Sequence, residues 1–93
     1  MKEIELFYLS SCPFCRNAKK AIGELTQENP AYGEIKIDWI EESEHPEIAE
    51  QRDYYSVPSI FWQGKKLYEA HFTHSYADIK QNIRTAFDTV LAG

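Results

Sequence analysis

Cys12 and Cys15 are the only cysteines in the chain, and they stand two residues apart in Cys12-Pro13-Phe14-Cys15. Two thiols at that spacing, where a strand hands over to a helix, are the minimal apparatus for making and breaking a disulfide. An ordinary cysteine, with a pKa near ~8.5, is mostly protonated at neutral pH, whereas the reactive species is the thiolate. If Cys12 caps or opens the helix, unpaired backbone N–H groups and the positive end of the dipole point at its sulfur. Pro13 suits the first helical turn, where its missing N–H is not needed. Arg16 adds a nearby positive charge. These three supports favour an ionised Cys12 as the attacking sulfur. Cys15, one turn on and on the apolar face, stays a buried thiol until it resolves the intermediate. That chemistry requires no metal or organic cofactor, only a redox-active disulfide between Cys12 and Cys15.

The pair admits two other readings, as half of a zinc site or as two inert core thiols. A structural zinc site takes about four ligands. The further candidates are His45, His71 and His74, of which His71-x-x-His74 alone has suggestive spacing. A second element favours exchange chemistry. Val57-Pro58 follows a helix-patterned stretch and opens an apolar run, and proline as the first residue of a strand forfeits no ladder hydrogen bond. A cis bond there is expected to turn the Val57 backbone outward beside the sulfurs, where an extended substrate segment can pair with it.

The elements that must position these residues follow from periodicity. Ile4 to Leu9, apolar except at Glu5, reads as a central strand covered on both faces. Ala18, Ala21, Ile22 and Leu25 mark one face of a helix, with Arg16, Lys19 and Lys20 on the other. Asn29-Pro30-Ala31-Tyr32-Gly33 breaks it. Ile35 to Trp39 alternates as a second strand. Ser43 is expected to cap a helix from about Glu44 to Tyr54, with Pro46 in its first turn. Val57 to Trp62 and Lys66 to Glu69 form a hairpin across Gln63-Gly64-Lys65. Ser75-x-x-Asp78 resembles a capping box before a long amphipathic helix. The order βαβ then αββα, with a right-handed parallel crossover, predicts one four-stranded mixed sheet flanked by three helices.

Composition bounds the rest. Ninety-three residues, 43% hydrophobic, with two Trp, six Tyr and five Phe, make one folded α/β domain over 1–93. A net charge of −5 argues against nucleic acid or an anionic membrane as partner. Glu41, Glu42, Glu44 and Glu47 read as a solvated helix start. Lys19-Lys20 and Lys65-Lys66 read as solvated surface, and Trp39, Trp62, Phe61 and Tyr54-Tyr55 as core and edge packing. No signal-peptide pattern or membrane span is visible, so a cytoplasmic, monomeric protein is expected.

The strand–Cys12-Pro13-Phe14-Cys15–helix unit, Ser56-Val57-Pro58-Ser59-Ile60-Phe61, Gly64 and a closing helix together resemble the thioredoxin superfamily, and within it small glutaredoxins. The resemblance spans essentially the whole chain. Phe14 stands where glutaredoxins usually carry tyrosine. Leu6 and Ser11 stand where thioredoxins carry a buried aspartate and a tryptophan. The resemblance implies a thioredoxin-like fold and a thiol–disulfide oxidoreductase, an enzyme reducing protein or small-molecule disulfides by dithiol exchange. It also implies Val57 and Pro58 as substrate-binding residues, with Tyr55 near the groove and Arg52 reaching an anionic end of the substrate. Glutathione or a flavoenzyme is implied as the reductant. The residues that grip glutathione in that family are missing: Leu9 replaces a lysine, and Tyr68-Glu69-Ala70-His71-Phe72-Thr73-His74-Ser75 lacks a Gly-Gly pair. A metal- or cluster-binding module and a non-catalytic interaction domain are the alternative functions.

Overall fold

β1 (Glu3–Tyr8) is the centre of the molecule, and its alternation decides which residues meet on each side of the sheet. The computed structural model describes residues 2–93. β1 runs parallel to β2 (Lys36–Glu41), from Glu3 opposite Lys36 to Tyr8 opposite Glu41. On its other edge it pairs antiparallel with β3 (Ser59–Trp62), which pairs antiparallel with β4 (Lys65–Glu69). The spatial order is β2-β1-β3-β4, a four-stranded mixed sheet as the sequence predicts.

Ile4 and Leu6 point to one face and join the larger core, with Ala18, Ala21 and Leu25 of α1 (Pro13–Glu28) and Ile79, Ile83 and Phe87 of α3 (Tyr76–Ala92). Phe7 points the other way, into a smaller cluster with Ile40 and Phe61, covered by Ile48, Ala49, Tyr54 and Val57. Its ring lies 5.0 Å from Tyr54 and edge-on to Phe61 at 5.7 Å. Both faces of β1 are therefore covered, which its near-continuous apolar run requires.

Local signals account for most boundaries. Gln63 and Gly64 both have positive φ, 53° and 80°, the geometry of a two-residue hairpin turn. Ser75 and Asp78 exchange side-chain and backbone hydrogen bonds as a capping box at the start of α3. Asn29 accepts from the Ala31 N–H and opens a 3-10 turn over Pro30–Glu34 in place of a simple break.

The middle of the chain departs from expectation. α2 is only Pro46–Ala49, preceded by His45, and Ser43 does not cap it. The Ser43 N–H and hydroxyl donate instead to Glu41, at 2.7 and 2.6 Å. The helix ends at Ala49, short of the expected Tyr54, and further on the Tyr55 and Ser56 N–H groups donate to the Glu69 carboxylate, at 2.6 and 2.8 Å. β2 continues through Glu41, and β3 begins at Ser59, leaving Val57-Pro58 as the approach to the strand.

The thin face of the sheet generates a stability prediction. Phe7→Ala removes a fully buried ring whose neighbours are few, and an unfilled site of this kind costs about 3–5 kcal/mol. A denaturant melt should show that loss; a loss below about 1 kcal/mol would mean the small cluster is not a core.

Candidate active site

β1 ends at Tyr8, and four residues later Cys12 turns the chain into α1. The Cys12 N–H donates to the Leu9 carbonyl at 3.1 Å, closing the turn. Its own carbonyl accepts from the Cys15 and Arg16 N–H groups, both at 3.1 Å, so Cys12 is the N-cap and Pro13 the first helical residue. The Cys12 side chain makes no capping bond. Its thiol instead donates toward the Val57 carbonyl, at 3.8 Å. The Val57-Pro58 bond is cis, and Pro58 is buried. The structure thus brings Cys12, Cys15 and Val57-Pro58 to one end of the sheet, where β1 finishes and β3 begins.

The two sulfurs are unlike. Cys12 is partly exposed, while Cys15 is 7% exposed on the buried face of α1. Burial is the main cause that pushes the Cys15 thiol up to about 12, with an opposing backbone hydrogen bond from Leu9 and smaller upward contributions from Cys12 and Glu42. At neutral pH Cys15 is held as a thiol. Phe14 lies partly buried against the main core, and Arg16 is exposed beside a cavity of about 200 Å³ that Cys15 also lines.

Two candidate substrate residues sit elsewhere. The Arg52 guanidinium is taken by Glu5 in a two-point pair, Nε and Nη2 each at 2.7 Å from a carboxylate oxygen. Glu5 is three residues before the end of β1, and the cavity that Arg52 lines shares no residue with the one beside Cys15. The expected role at the anionic end of a substrate meets an arginine already neutralised. Tyr55 is 92% exposed and lines a shallow depression with Tyr54, Pro46 and Glu50. What ties it to the site is its backbone N–H on Glu69. His71 and His74 lie between β4 and α3, their Nδ1 atoms bonded with the Thr73 and Tyr68 hydroxyls at 2.7 and 2.9 Å. Among the described residues, no three His, Cys, Asp or Glu side chains converge as a metal site.

Two carboxylates organise the flanking loops: Glu41, which sequence reasoning left at the surface, and Glu69 of β4. Glu41, at the end of β2, is only 8% exposed. One oxygen accepts from the Ser10 N–H and hydroxyl, at 3.1 and 3.0 Å, and the other from the Ser43 pair. Those donors, the Ser43 hydroxyl first, hold the carboxyl down at about 2. Glu69, at the end of β4, holds the opposite loop through Tyr55 and Ser56, and Lys66 neutralises it at 2.7 Å. Pro58 is fixed behind that loop, because its carbonyl accepts from the Ala70 N–H at 2.9 Å. The signal for Glu41 lay in the alternation of β2, which carries past Trp39; Glu69 gave none, since the loop groups it holds are backbone N–H groups.

Glu41 makes the fold sensitive to acid in a defined window. Its folded value lies below the ordinary 4.5, so its stabilisation is complete above about 4.5 and is lost as pH falls toward about 2. Glu41→Gln should be less stable at pH 7, and its stability should fall less steeply than wild type between pH 4.5 and 2. Parallel pH profiles for the two proteins would contradict this.

Comparison with known proteins agrees with the geometry. The family model described as Glutaredoxin matches residues 4–67. A thioredoxin of Methanocaldococcus jannaschii is 32% identical over 62 residues, covering 67% of this chain and 71% of that protein. Thioredoxin 1 of Thermosipho africanus superposes with a TM-score of 0.59 at 18% identity, over 94% of this chain and 96% of that one. The structure of a malarial protein superposes at 0.60 and 17% identity, over 89% and 93%. These two structural likenesses speak to the fold, which is thioredoxin-like. With the cysteine pair inside the matched segment, the chain belongs to the glutaredoxin family of thiol–disulfide oxidoreductases.

Proposed function

We propose that the protein reduces disulfides, in proteins or small molecules, by dithiol exchange through Cys12 and Cys15. The observation that supports this most is the inequality of the two sulfurs, one accessible at a helix N-terminus and facing Val57, the other buried behind it.

The Cys12 thiolate attacks one sulfur of the substrate disulfide. The substrate S–S bond breaks, and the departing thiolate takes a proton from solvent. Cys12 is then joined to the remaining half of the substrate. Cys15 loses its proton, attacks the Cys12 sulfur and expels that half as a second thiol. Two electrons have passed to the substrate, and the protein holds a Cys12–Cys15 disulfide. An external thiol or flavoenzyme reductant returns it to the dithiol. The high Cys15 value suits this order, because burial keeps the resolving sulfur protonated until a mixed disulfide forms beside it.

Recognition falls to backbone more than to a tripeptide pocket. The loop before Pro58 is braced by Glu69, so the Val57 peptide group is held for an extended segment to pair with. Glutathione enters as a reductant from solution. Glu69, in the stretch that lacks the Gly-Gly pair, is already engaged by Tyr55, Ser56 and Lys66.

The roles separate in two variants. Cys12→Ser should abolish reduction of a disulfide substrate, and Cys15→Ser should accumulate a covalent adduct visible by mass as protein plus half-substrate. An active Cys12→Ser protein, or adducts on Cys15 in wild type, would reverse the assignment.

A further inference from the structure

The helix face that carries Cys12 carries two cations behind it. Cys12, Arg16 and Lys19 stand at i, i+4 and i+7, a spacing that lines side chains up along one side of a helix. Arg16 and Lys19 both line the cavity beside Cys15, together with Ser10, Tyr8 and Trp39. The Lys19 ammonium lies over the Trp39 ring, 5.8 Å from its centroid, and Trp39 meets Tyr8 edge-on at 5.9 Å.

Among the described residues, no ion pair uses these charges. Arg52, Lys66, Lys80 and Arg84 are all paired with carboxylates. Among the described residues, Arg16 and Lys19 have no carboxylate at ion-pair distance. Helix energetics does not call for them either, because cations near a helix N-terminus add to its positive end instead of cancelling it. The lining of the cavity holds both cations and no carboxylate, with Tyr8 and Trp39 as an aromatic wall.

We propose that the Arg16–Lys19–Trp39 cavity is a specificity subsite for a carboxylate side chain carried by a peptide disulfide substrate, two residues from its reacting cysteine. The proposal rests on the exchange reading above. The spacing comes from matching two repeats. α1 rises about 1.5 Å per residue, setting Arg16 and Lys19 about 6 and 10 Å along the axis from Cys12. An extended peptide advances about 3.3 Å per residue with alternate side chains on one face, so its second neighbour, facing as the cysteine does, falls about 6.6 Å along, between those cations. The guanidinium offers the carboxylate a planar pair of donors, Lys19 a point charge, and Trp39 a flat surface for the acid's methylenes.

The test uses two short peptides with one cysteine each, activated as the uncharged 2-pyridyl disulfide and differing only as Glu or Gln two residues from that cysteine. The reduced protein is mixed with each, and the second-order rate of pyridine-2-thione release is measured. Wild type should react about three- to tenfold faster with the Glu peptide at low salt, the size two partly exposed charge contacts provide. That ratio should fall to within about twofold in about 0.5 M salt and in the Arg16→Gln/Lys19→Gln double variant. Lys19→Glu should turn the preference toward the Gln peptide, so the proposal remains testable if the double variant does not fold. An equal rate for the two peptides with wild type, or an undiminished preference in the variants, overturns the subsite. Failure of wild type to react with either peptide overturns the exchange reading instead, and the subsite with it.

Discussion

The first turn of a helix has N–H groups that its own ladder cannot use, and a residue in the capping position normally spends its side chain on them. Cys12 does not. Its carbonyl starts α1 while its sulfur turns toward Val57, leaving the positive end of the helix beside a sulfur free to react. One turn later, the same helix buries Cys15 against the core. A single helical start thus gives two chemically identical side chains opposite environments. The sheet behind it exists in large part to hold that start and the Pro58 approach side by side, since β1 delivers the one and the neighbouring β3 receives the other.

Holding them asks for bracing on both flanks, and the bracing comes from acids. Glu41 closes β2 and Glu69 closes β4, the two edge strands. Each carboxylate reaches inward to the loop of the adjacent central strand, Ser10 in one case and Tyr55-Ser56 in the other. Both acids are fully engaged by donors: Glu41 by two N–H and two hydroxyl groups, Glu69 by two N–H groups and Lys66.

What the sequence discloses and what it conceals divide along the range of the interactions. β1, α1, the Gln63-Gly64 turn and the Ser75–Asp78 box are set by neighbours a few residues away, and periodicity or turn chemistry reads them directly. The Cys12–Cys15 pair and Val57-Pro58 are visible for the same reason, each being a short motif in a recognisable setting. The misreadings turn on which way a partner faces in the fold. Ser43 looks like a cap until Glu41, two residues before it, takes its N–H and hydroxyl. Arg52 looks available to a substrate until the fold sets Glu5 across from it. Lys19 and Trp39 look like plain surface because only the packing of α1 over β2 brings them together.

The account stands on the two sulfurs being unequal in the folded dithiol protein, and timed alkylation reads that directly. Reduced protein is exposed to iodoacetamide at neutral pH, quenched at intervals, and each cysteine's modification is followed by peptide mass. Cys12 should be modified first and nearly completely, with Cys15 labelled only after denaturant is added. Comparable labelling rates at the two positions, or Cys15 ahead of Cys12, would contradict the account.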